Sequence, residues 1–180
     1  MFAQALNEIV RRLEEAKARH LVDRYALIGG FALAAWGIPR ATHDVDFALA
    51  MGASDPTGLS RLLQAEFQSG DPDDPLRGVF RTSVIAEGHS IPIQLVLLPP
   101  RWNAIVFQDV ESIQVFHCTV PVVSWQALLL LKLYAGGPQD LLDAQQILAV
   151  REPNPGERHA VATLAKEMGL ATMWRRVLNR

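Results

Sequence analysis

The chain has 180 residues, of which 49% are apolar and 20% are charged, and its formal net charge is −2. This length suits one domain with a real hydrophobic core, and the composition excludes a disordered polypeptide. The small negative charge gives no bulk attraction to a phosphate polymer, so nucleic-acid binding would need a local basic patch. The single cysteine, Cys118, excludes an internal disulfide and fits a reducing cytosol, where it would be a small buried residue.

The first residues carry no signal-peptide pattern, because acidic side chains interrupt the apolar positions from Asn7 onward. The longest apolar run extends only from Ala127 to Leu131, far too short to span a bilayer. We therefore expect a cytoplasmic protein with no membrane association.

The first quarter of the chain predicts the order helix, strand, glycine turn, helix, strand. Apolar residues recur at helical spacing over 2–16, and a short apolar run then ends at Gly29 and Gly30. A second helix is expected to end at Gly37, because a proline follows it closely. Charged and apolar residues alternate over 44–47, as in a strand with one polar face.

The middle of the chain predicts one helix and three strands. Helical spacing continues over 59–67, and the density of Gly, Pro and Asp over 68–78 predicts a loop. Two strands follow within 79–100, joined by a turn at 87–90, and a single short strand is expected within 113–123.

The rest of the chain predicts helices only, over 125–135, 138–150, 156–169 and 171–180. The predicted fold class is α/β (α+β), with a small mixed β-sheet, helices on one side of it and a helical C-terminal region. We expect residues 1–122 to form the α/β core and residues 123–180 to pack on it as part of one compact unit.

Asp44 and Asp46 carry the strongest chemical signal. Carboxylates at alternate strand positions point to the same side, roughly 6 to 7 Å apart, and repel each other. The arrangement becomes favourable when a hard divalent cation such as Mg²⁺ or Mn²⁺ lies between them and shares its remaining positions with substrate phosphates. The pattern therefore predicts Asp44 and Asp46 as metal ligands.

Gly29 and Gly30 fit the same chemistry. A residue without Cβ lets the backbone N–H groups of a turn approach a phosphate closely. A glycine pair is also ordinary turn punctuation, so the functional interpretation depends on its occurrence together with the two acids.

The combined pattern resembles the DNA-polymerase-β-like nucleotidyltransferase superfamily. Its signature is a hydrophobic residue with Gly-Gly or Gly-Ser, then Asp-x-Asp flanked by apolar positions; "IGG" and "DVDF" match it at the long end of the spacing. The stretch "GIPRATHDVD" most resembles the abortive-infection nucleotidyltransferase toxins and related minimal nucleotidyltransferases, which carry Gly, Arg and Thr before the aspartates. The resemblance extends over about residues 25–149.

The resemblance implies roles for further residues. Arg40 and Thr42 occupy the Arg and Thr positions, and Lys132 with Asp140 and Asp143 matches a later helix with a lysine followed by two aspartates. Asp44, Asp46 and Lys132 would be catalytic, while Gly29, Gly30, Arg40, Thr42, Asp140 and Asp143 would bind nucleotide. Structural alternatives stay open: Lys132 could extend its ammonium to solvent, and the later aspartates could stabilise a helix start.

Gln94 departs from the family pattern. The superfamily has a third carboxylate on a later strand, which completes the metal site and can serve as general base, and Gln94 occupies the expected position. An amide can bind a metal through oxygen, but it accepts no proton at neutral pH. Either Glu87 or Asp109 substitutes for the acid, or the reaction proceeds without this base, or the protein binds nucleotide without turning it over.

The resemblance implies transfer of a nucleoside monophosphate from an NTP to a hydroxyl acceptor. That acceptor could be RNA, a protein or a small molecule, in a toxin–antitoxin or resistance setting with a possible partner protein. The alternative is a catalytically inactive protein of the same fold that binds nucleotide or another protein. A domain without any metal site would require the glycine and aspartate spacing to be accidental.

Overall fold

The computed structural model describes residues 1–52, 54–71 and 76–179. Within these ranges the chain forms eight helices and one seven-stranded sheet. The helices are α1 (Phe2–Ala18), α2 (Gly29–Ala35), α3 (Pro56–Leu63), α4 (Pro100–Val106), α5 (Trp125–Ala135), α6 (Pro138–Arg151), α7 (Pro155–Glu167) and α8 (Ala171–Leu178). The strands are β1 (Arg24–Ile28), β2 (Val45–Ala50), β3 (Glu66–Ser69), β4 (Gly78–Ala86), β5 (His89–Leu97), β6 (Glu111–Val115) and β7 (Cys118–Val122).

The sheet is mixed, with the strand order β3-β4-β5-β2-β1-β7-β6. At its centre, β2 runs antiparallel to β1 and parallel to β5, and β1 runs parallel to β7. The outer neighbours are antiparallel, and short turns join β4 to β5 and β6 to β7. This architecture confirms the predicted α/β class with a mixed sheet.

Helix α1 has the amphipathic character that its sequence predicts. Its inward face is completely enclosed and consists of Ala5, Leu6, Ile9, Leu13 and Ala16. Burial of each large aliphatic side chain contributes about 1.5–3 kcal/mol. The opposite face is charged, and there Glu8 accepts hydrogen bonds from Arg11 and Arg12.

The central strands separate a core face from a polar face. Leu27 pairs with Phe47 and Phe47 with Leu95, and these three side chains are fully buried. The next row along the strands places Asp46 between Ile28 and Gln94. Because neighbouring residues of a strand point to opposite faces, the acid and the amide lie together on the side away from that row of core side chains.

The helix predicted over 59–67 is wrong in its second half. Helix α3 ends at Leu63, and Gln64 takes the left-handed conformation with φ 52°. The following residues pair with β4 instead, with Glu66 opposite Arg81. Edge-strand pairing therefore overrides a local spacing that fits a helix.

The single strand predicted within 113–123 is also wrong, because the structure forms the hairpin β6–β7 there. Its turn contains Phe116 and His117 with φ of 48° and 65°. Such residues seldom adopt positive φ, so the sequence carries no turn signal. Cys118 is buried, as expected.

Two other segments differ from the predicted elements. Helix α4 was not predicted, since it has seven residues and begins at a proline pair that we assigned to a strand end. The predicted loop 68–78 includes residues 72–75, which lie outside the described residues, and its first two residues belong to β3.

The C-terminal helices are organised around α5. Ser124 caps this helix by accepting a hydrogen bond from the backbone of Ala127, and Gly136 ends it with φ 65°. The sheet and these helices share one cluster of buried apolar side chains, so the boundary between residues 122 and 123 stays a prediction. None of the helices in the described ranges has the length and apolar character needed to cross a bilayer.

Candidate functional site

Gly29 and Gly30 lie directly against two side chains near the start of β2, namely Asp46 within the strand and Thr42 in the loop before it. Strand β1 ends at Ile28 and α2 begins at Gly29, which has φ +68°. A Cβ on Gly29 would stand 2.1 Å from Asp46 Oδ2, and one on Gly30 would stand 2.6 Å from Thr42 Cβ. Both distances are far below a van der Waals contact, so the turn needs glycine at both positions.

Asp44 and Asp46 lie together at the start of the central strand β2, and both are next to Gln94 of β5. Asp46 belongs to β2, while Asp44 precedes the strand by one residue. Thr42 Oγ1 donates a hydrogen bond to Asp44 Oδ1 at 2.8 Å, and Gln94 Nε2 donates one to Asp44 Oδ2 at 3.2 Å. Thr42, predicted to bind nucleotide, therefore holds the first acid in place.

Asp46 is a largely buried carboxyl group close to the charge of Asp44. Burial, and then the charge of Asp44, raise its pKa to about 7, although Lys132 acts in the opposite direction. Both causes disfavour the ionised form, and a bound cation would favour it. Two neighbouring carboxylates, Asp44 and Asp46, fit a hard divalent cation, which prefers carboxylate ligands.

Among the residues that the structure describes, no third acid accompanies the pair. Gln94 lies directly opposite Asp46 in the pairing of β2 with β5, and no group of three or more His, Cys, Asp or Glu side chains within the described ranges is suited to a metal. Glu87 pairs with the N-terminal amine of Met1 at the β4–β5 turn. The structure therefore does not bring Glu87 to the site.

Asp109 is the other predicted substitute, and it also lies elsewhere. It follows Phe107, whose carbonyl accepts a hydrogen bond from Arg24 at the first residue of β1. The glycine turn is at the other end of that strand, about 13 Å away at 3.3 Å per residue. Neither substitution proposed from the sequence is realised.

The remaining predicted residues meet in one charged cluster. Lys132 Nζ lies 2.9 Å from Asp140 Oδ1 and 2.8 Å from Asp143 Oδ2. Arg40 Nε lies 3.4 Å from Asp143 Oδ1, which also accepts a hydrogen bond from Gln139. The loop before the acids is thereby tied to α5 and α6.

Burial and ion pairing shift the pKa values of Lys132 and Asp143 in opposite directions, and the effect of ion pairing is the larger. Burial disfavours the charged form of Lys132, but Asp143 and Asp140 raise its pKa above the ordinary value. Burial likewise opposes ionised Asp143, yet Lys132, Gln139 and Arg40 lower its pKa. The side chain of Asp143 has no exposed surface. Its negative charge therefore interacts with the side chains of Lys132 and Arg40 and not with solvent.

An apolar cavity of about 260 Å³ adjoins the glycine turn and the lysine. Its floor includes Ile28 and Val96 of the sheet, and α5 supplies the facing wall through Leu128, Leu131 and Lys132. We did not predict this cavity. The available signal was the spacing of Leu128, Leu131, Lys132 and Ala135, which places them on one face of a helix.

A second cavity, of about 320 Å³, lies beyond Gln94 toward the edge of the sheet. Its lining is mixed and includes two polar side chains that the sequence did not single out, Gln68 and Arg81. Gln94 therefore stands between the two acids and this cavity.

Comparison with solved structures shows what the fold resembles. An antigenic nucleotidyltransferase-like protein from Paracoccidioides brasiliensis superposes with a TM-score of 0.54, with 17% identity over 96% of this chain and 93% of that one. ANT(2″)-Ia in complex with adenylyl-2″-tobramycin superposes with a TM-score of 0.52, with 10% identity over 96% of this chain and 97% of that one. At these identities the likeness concerns the fold alone, and it agrees with the mixed sheet described above.

The comparison of sequences is more specific. No curated protein matches the chain. A family model, described as the nucleotidyl transferase AbiEii toxin of type IV toxin–antitoxin systems, matches residues 11–173. That span includes the glycine turn, both acids and the lysine cluster. The chain therefore belongs to the AbiEii nucleotidyl transferase toxin family.

Proposed function

We propose that the chain transfers a nucleoside monophosphate from an NTP to a hydroxyl acceptor and releases pyrophosphate. The contact between Gly29 and Asp46 carries the proposal, since a Cβ on the glycine would stand 2.1 Å from the carboxylate oxygen. A turn that can approach phosphates thus adjoins a pair of acids that favour a cation.

Asp44 and Asp46 would hold the cation, Mg²⁺ or Mn²⁺. When bound, it would neutralise charge on the phosphate oxygens of the nucleotide. The support for this assignment is the proximity of Asp44 to the largely buried Asp46, whose pKa is raised to about 7 by burial and then by Asp44.

The residues around the acids would bind and orient the nucleotide. The backbone N–H groups of Gly29 and Gly30, which begin α2, would contact its phosphates, because the first N–H groups of a helix have no partner within it. Lys132 and Arg40 would stabilise the charge that develops on the departing pyrophosphate. The apolar cavity of about 260 Å³ would enclose the base.

In the proposed step, the acceptor oxygen attacks the α-phosphorus and forms the new P–O bond. The bond between the α-phosphorus and the bridging oxygen breaks, and pyrophosphate leaves with both bonding electrons. The acceptor hydroxyl loses its proton to water, because Gln94 cannot take it. Phosphoryl-type transfers depend mainly on positioning and charge stabilisation, so a side-chain base at position 94 is not required.

We propose RNA, a protein or a small molecule as the acceptor, without preference among them. The AbiEii family model names a toxin of a toxin–antitoxin system, which supports an antitoxin protein as partner. The solved ANT(2″)-Ia complex contains adenylyl-2″-tobramycin, which keeps a small hydroxyl compound among the candidates.

Gln94 favours a second candidate function, in which the chain binds nucleotide without transferring it. The amide occupies the position opposite Asp46 where a third carboxylate was expected. Such a protein would act by binding nucleotide or a partner protein.

Two measurements separate these functions. Calorimetry with ATP and Mg²⁺, on the wild type and on Asp44→Asn/Asp46→Asn, measures binding at the acids. Incubation of α-labelled NTPs with RNA, lysate protein and small hydroxyl compounds measures transfer. The proposed transferase gives binding that the double variant abolishes, together with label on one acceptor class. Binding without label on any acceptor supports the second function, and absence of binding contradicts both.

A further inference from the structure

The side chain of Gln94 contacts Asp44, which its position in the sequence does not indicate. Its side chain is half-buried and reaches back to Asp44, two residues before its direct strand partner Asp46. The distance from Gln94 Nε2 to Asp44 Oδ2 is 3.2 Å, within the range of an N–H···O hydrogen bond.

The chemistry of the two groups fixes the orientation of the amide. An ionised carboxylate only accepts hydrogen bonds, so the NH₂ end of Gln94 must face Asp44 and the carbonyl oxygen must face away. In this orientation the amide oxygen is turned away from Asp44. Gln94 consequently acts on the acid as a donor.

Both oxygens of Asp44 are held, and by different elements. Thr42 Oγ1 binds Oδ1 at 2.8 Å, and Gln94 binds Oδ2 from β5. Thr42 is itself packed against Gly30, where a Cβ would stand 2.6 Å away. The carboxylate thus cannot rotate without breaking a hydrogen bond to a charged acceptor, which contributes more than one between neutral groups.

We propose that Gln94 is a positioning residue for Asp44, and that the site holds a single divalent cation between two carboxylates. An amide in place of the third acid removes one negative charge and adds one donor. Loss of the negative charge leaves too little charge to bind a second ion. The added donor orients Asp44 toward the single bound ion. This inference rests on the proposed function, because it assigns the acids to a cation.

The test uses Mn²⁺ binding to the full chain, followed by electron paramagnetic resonance with an ATP analogue that carries a methylene between its α- and β-phosphates. The wild type is expected to bind a single Mn²⁺ per chain. Two bound ions would overturn the single-cation site. Absence of Mn²⁺ from the wild type would instead overturn the proposed function.

Side-chain variants then test the role of Gln94. Gln94→Leu keeps a similar volume but donates nothing, and we expect it to weaken Mn²⁺ binding about tenfold, the loss typical of a hydrogen bond to a charged group. The matched control is Gln68→Leu, the same change on β3, where Gln68 accepts from Arg81 and does not contact the acids. That control should bind Mn²⁺ within about twofold of the wild type.

The outcomes for Gln94→Leu are distinct. Unchanged affinity would overturn the positioning role, and a loss as complete as that of Asp44→Asn would also overturn it, by making Gln94 a ligand. A second readout does not use metal: the side-chain amide NMR signals of Gln94 in the metal-free protein should shift in Asp44→Asn. Signals that stay in place would show that the hydrogen bond is absent and would overturn the proposal.

Discussion

Asp46 Oδ2 occupies the space in which a side chain on Gly29 would begin, because a Cβ there would stand 2.1 Å from that oxygen. This close approach brings the glycine pair of the sequence motif against its Asp-x-Asp stretch. A substitution at position 29 should therefore affect both the stability of the protein and its binding of metal and nucleotide.

We predict that Gly29→Ala destabilises the protein and abolishes binding of ATP with Mg²⁺. The variant combines a strained φ of +68° with a clash against the carboxylate of Asp46. The matched control is Gly88→Ala, because Gly88 has φ +78° and nothing within 4 Å of its added Cβ.

The backbone conformation alone should cost about 1–2 kcal/mol in each variant. Urea unfolding should therefore show a larger loss for Gly29→Ala than for Gly88→Ala, and calorimetry should show binding lost only in the former. Equal effects of the two variants would refute the close approach.

Lys132 should contribute strongly to stability, since it neutralises the fully buried Asp143 at 2.8 Å. We predict that Lys132→Met lowers the free energy of unfolding by about 3–5 kcal/mol, the loss expected when a buried charge is left without its partner. Lys132→Met/Asp143→Asn should recover part of the loss, because it removes the stranded charge. A double variant that is less stable than the single one would contradict the pairing.

Arg40 should behave differently, because its side chain is 32% exposed and lies 3.4 Å from Asp143. We expect Arg40→Met to change the free energy of unfolding by less than about 1 kcal/mol, as for a solvent-screened pair. Its nucleotide affinity should fall about tenfold through loss of a phosphate contact. Arg61→Met, at an exposed position on α3, is the control in both measurements; similar nucleotide affinities in the two variants would count against a role for Arg40.

The raised pKa of Asp46 predicts a pH dependence of metal binding. Its value of about 7 in the folded, metal-free protein lies above the ordinary value of 3.8. Between these values the folded state holds a proton that the unfolded state has lost, so this contribution to stability is present at low pH and disappears as the pH rises through about 7.

A cation must displace the same proton. Affinity for Mn²⁺ should therefore fall by up to about tenfold for each pH unit below 7 and level off above pH 8. Calorimetry in two buffers of different ionisation enthalpy should detect about one proton released per ion at pH 6 and close to none at pH 8. Equal proton release at both pH values would be inconsistent with the raised pKa.

The sequence predicted those parts of the molecule that depend on local pattern. The apolar period of α1, the caps at Ser124 and Gly136 and the alternation around Asp46 each have a direct physical cause, and the structure has these features. The turn at Phe116 and His117 was missed because its residues seldom take positive φ.

The site was predictable as a set of residues but not as a set of contacts. The chemistry of a metal–phosphate site and the family signature placed Gly29 near Asp46, whereas the pairing of Lys132 with Asp140 and Asp143 depends on how α6 packs against α5. The hydrogen bond from Gln94 to Asp44 depends on the register of β5 with β2. Register is a property of the assembled sheet, so no local pattern contains it.

A crystal structure with Mn²⁺ and the methylene ATP analogue tests the central claim most directly. The account predicts an anomalous Mn²⁺ signal between the carboxylates of Asp44 and Asp46, with the triphosphate against Gly29 and Gly30 and within reach of Lys132. A nucleotide bound elsewhere, or a metal that contacts neither acid, would contradict it.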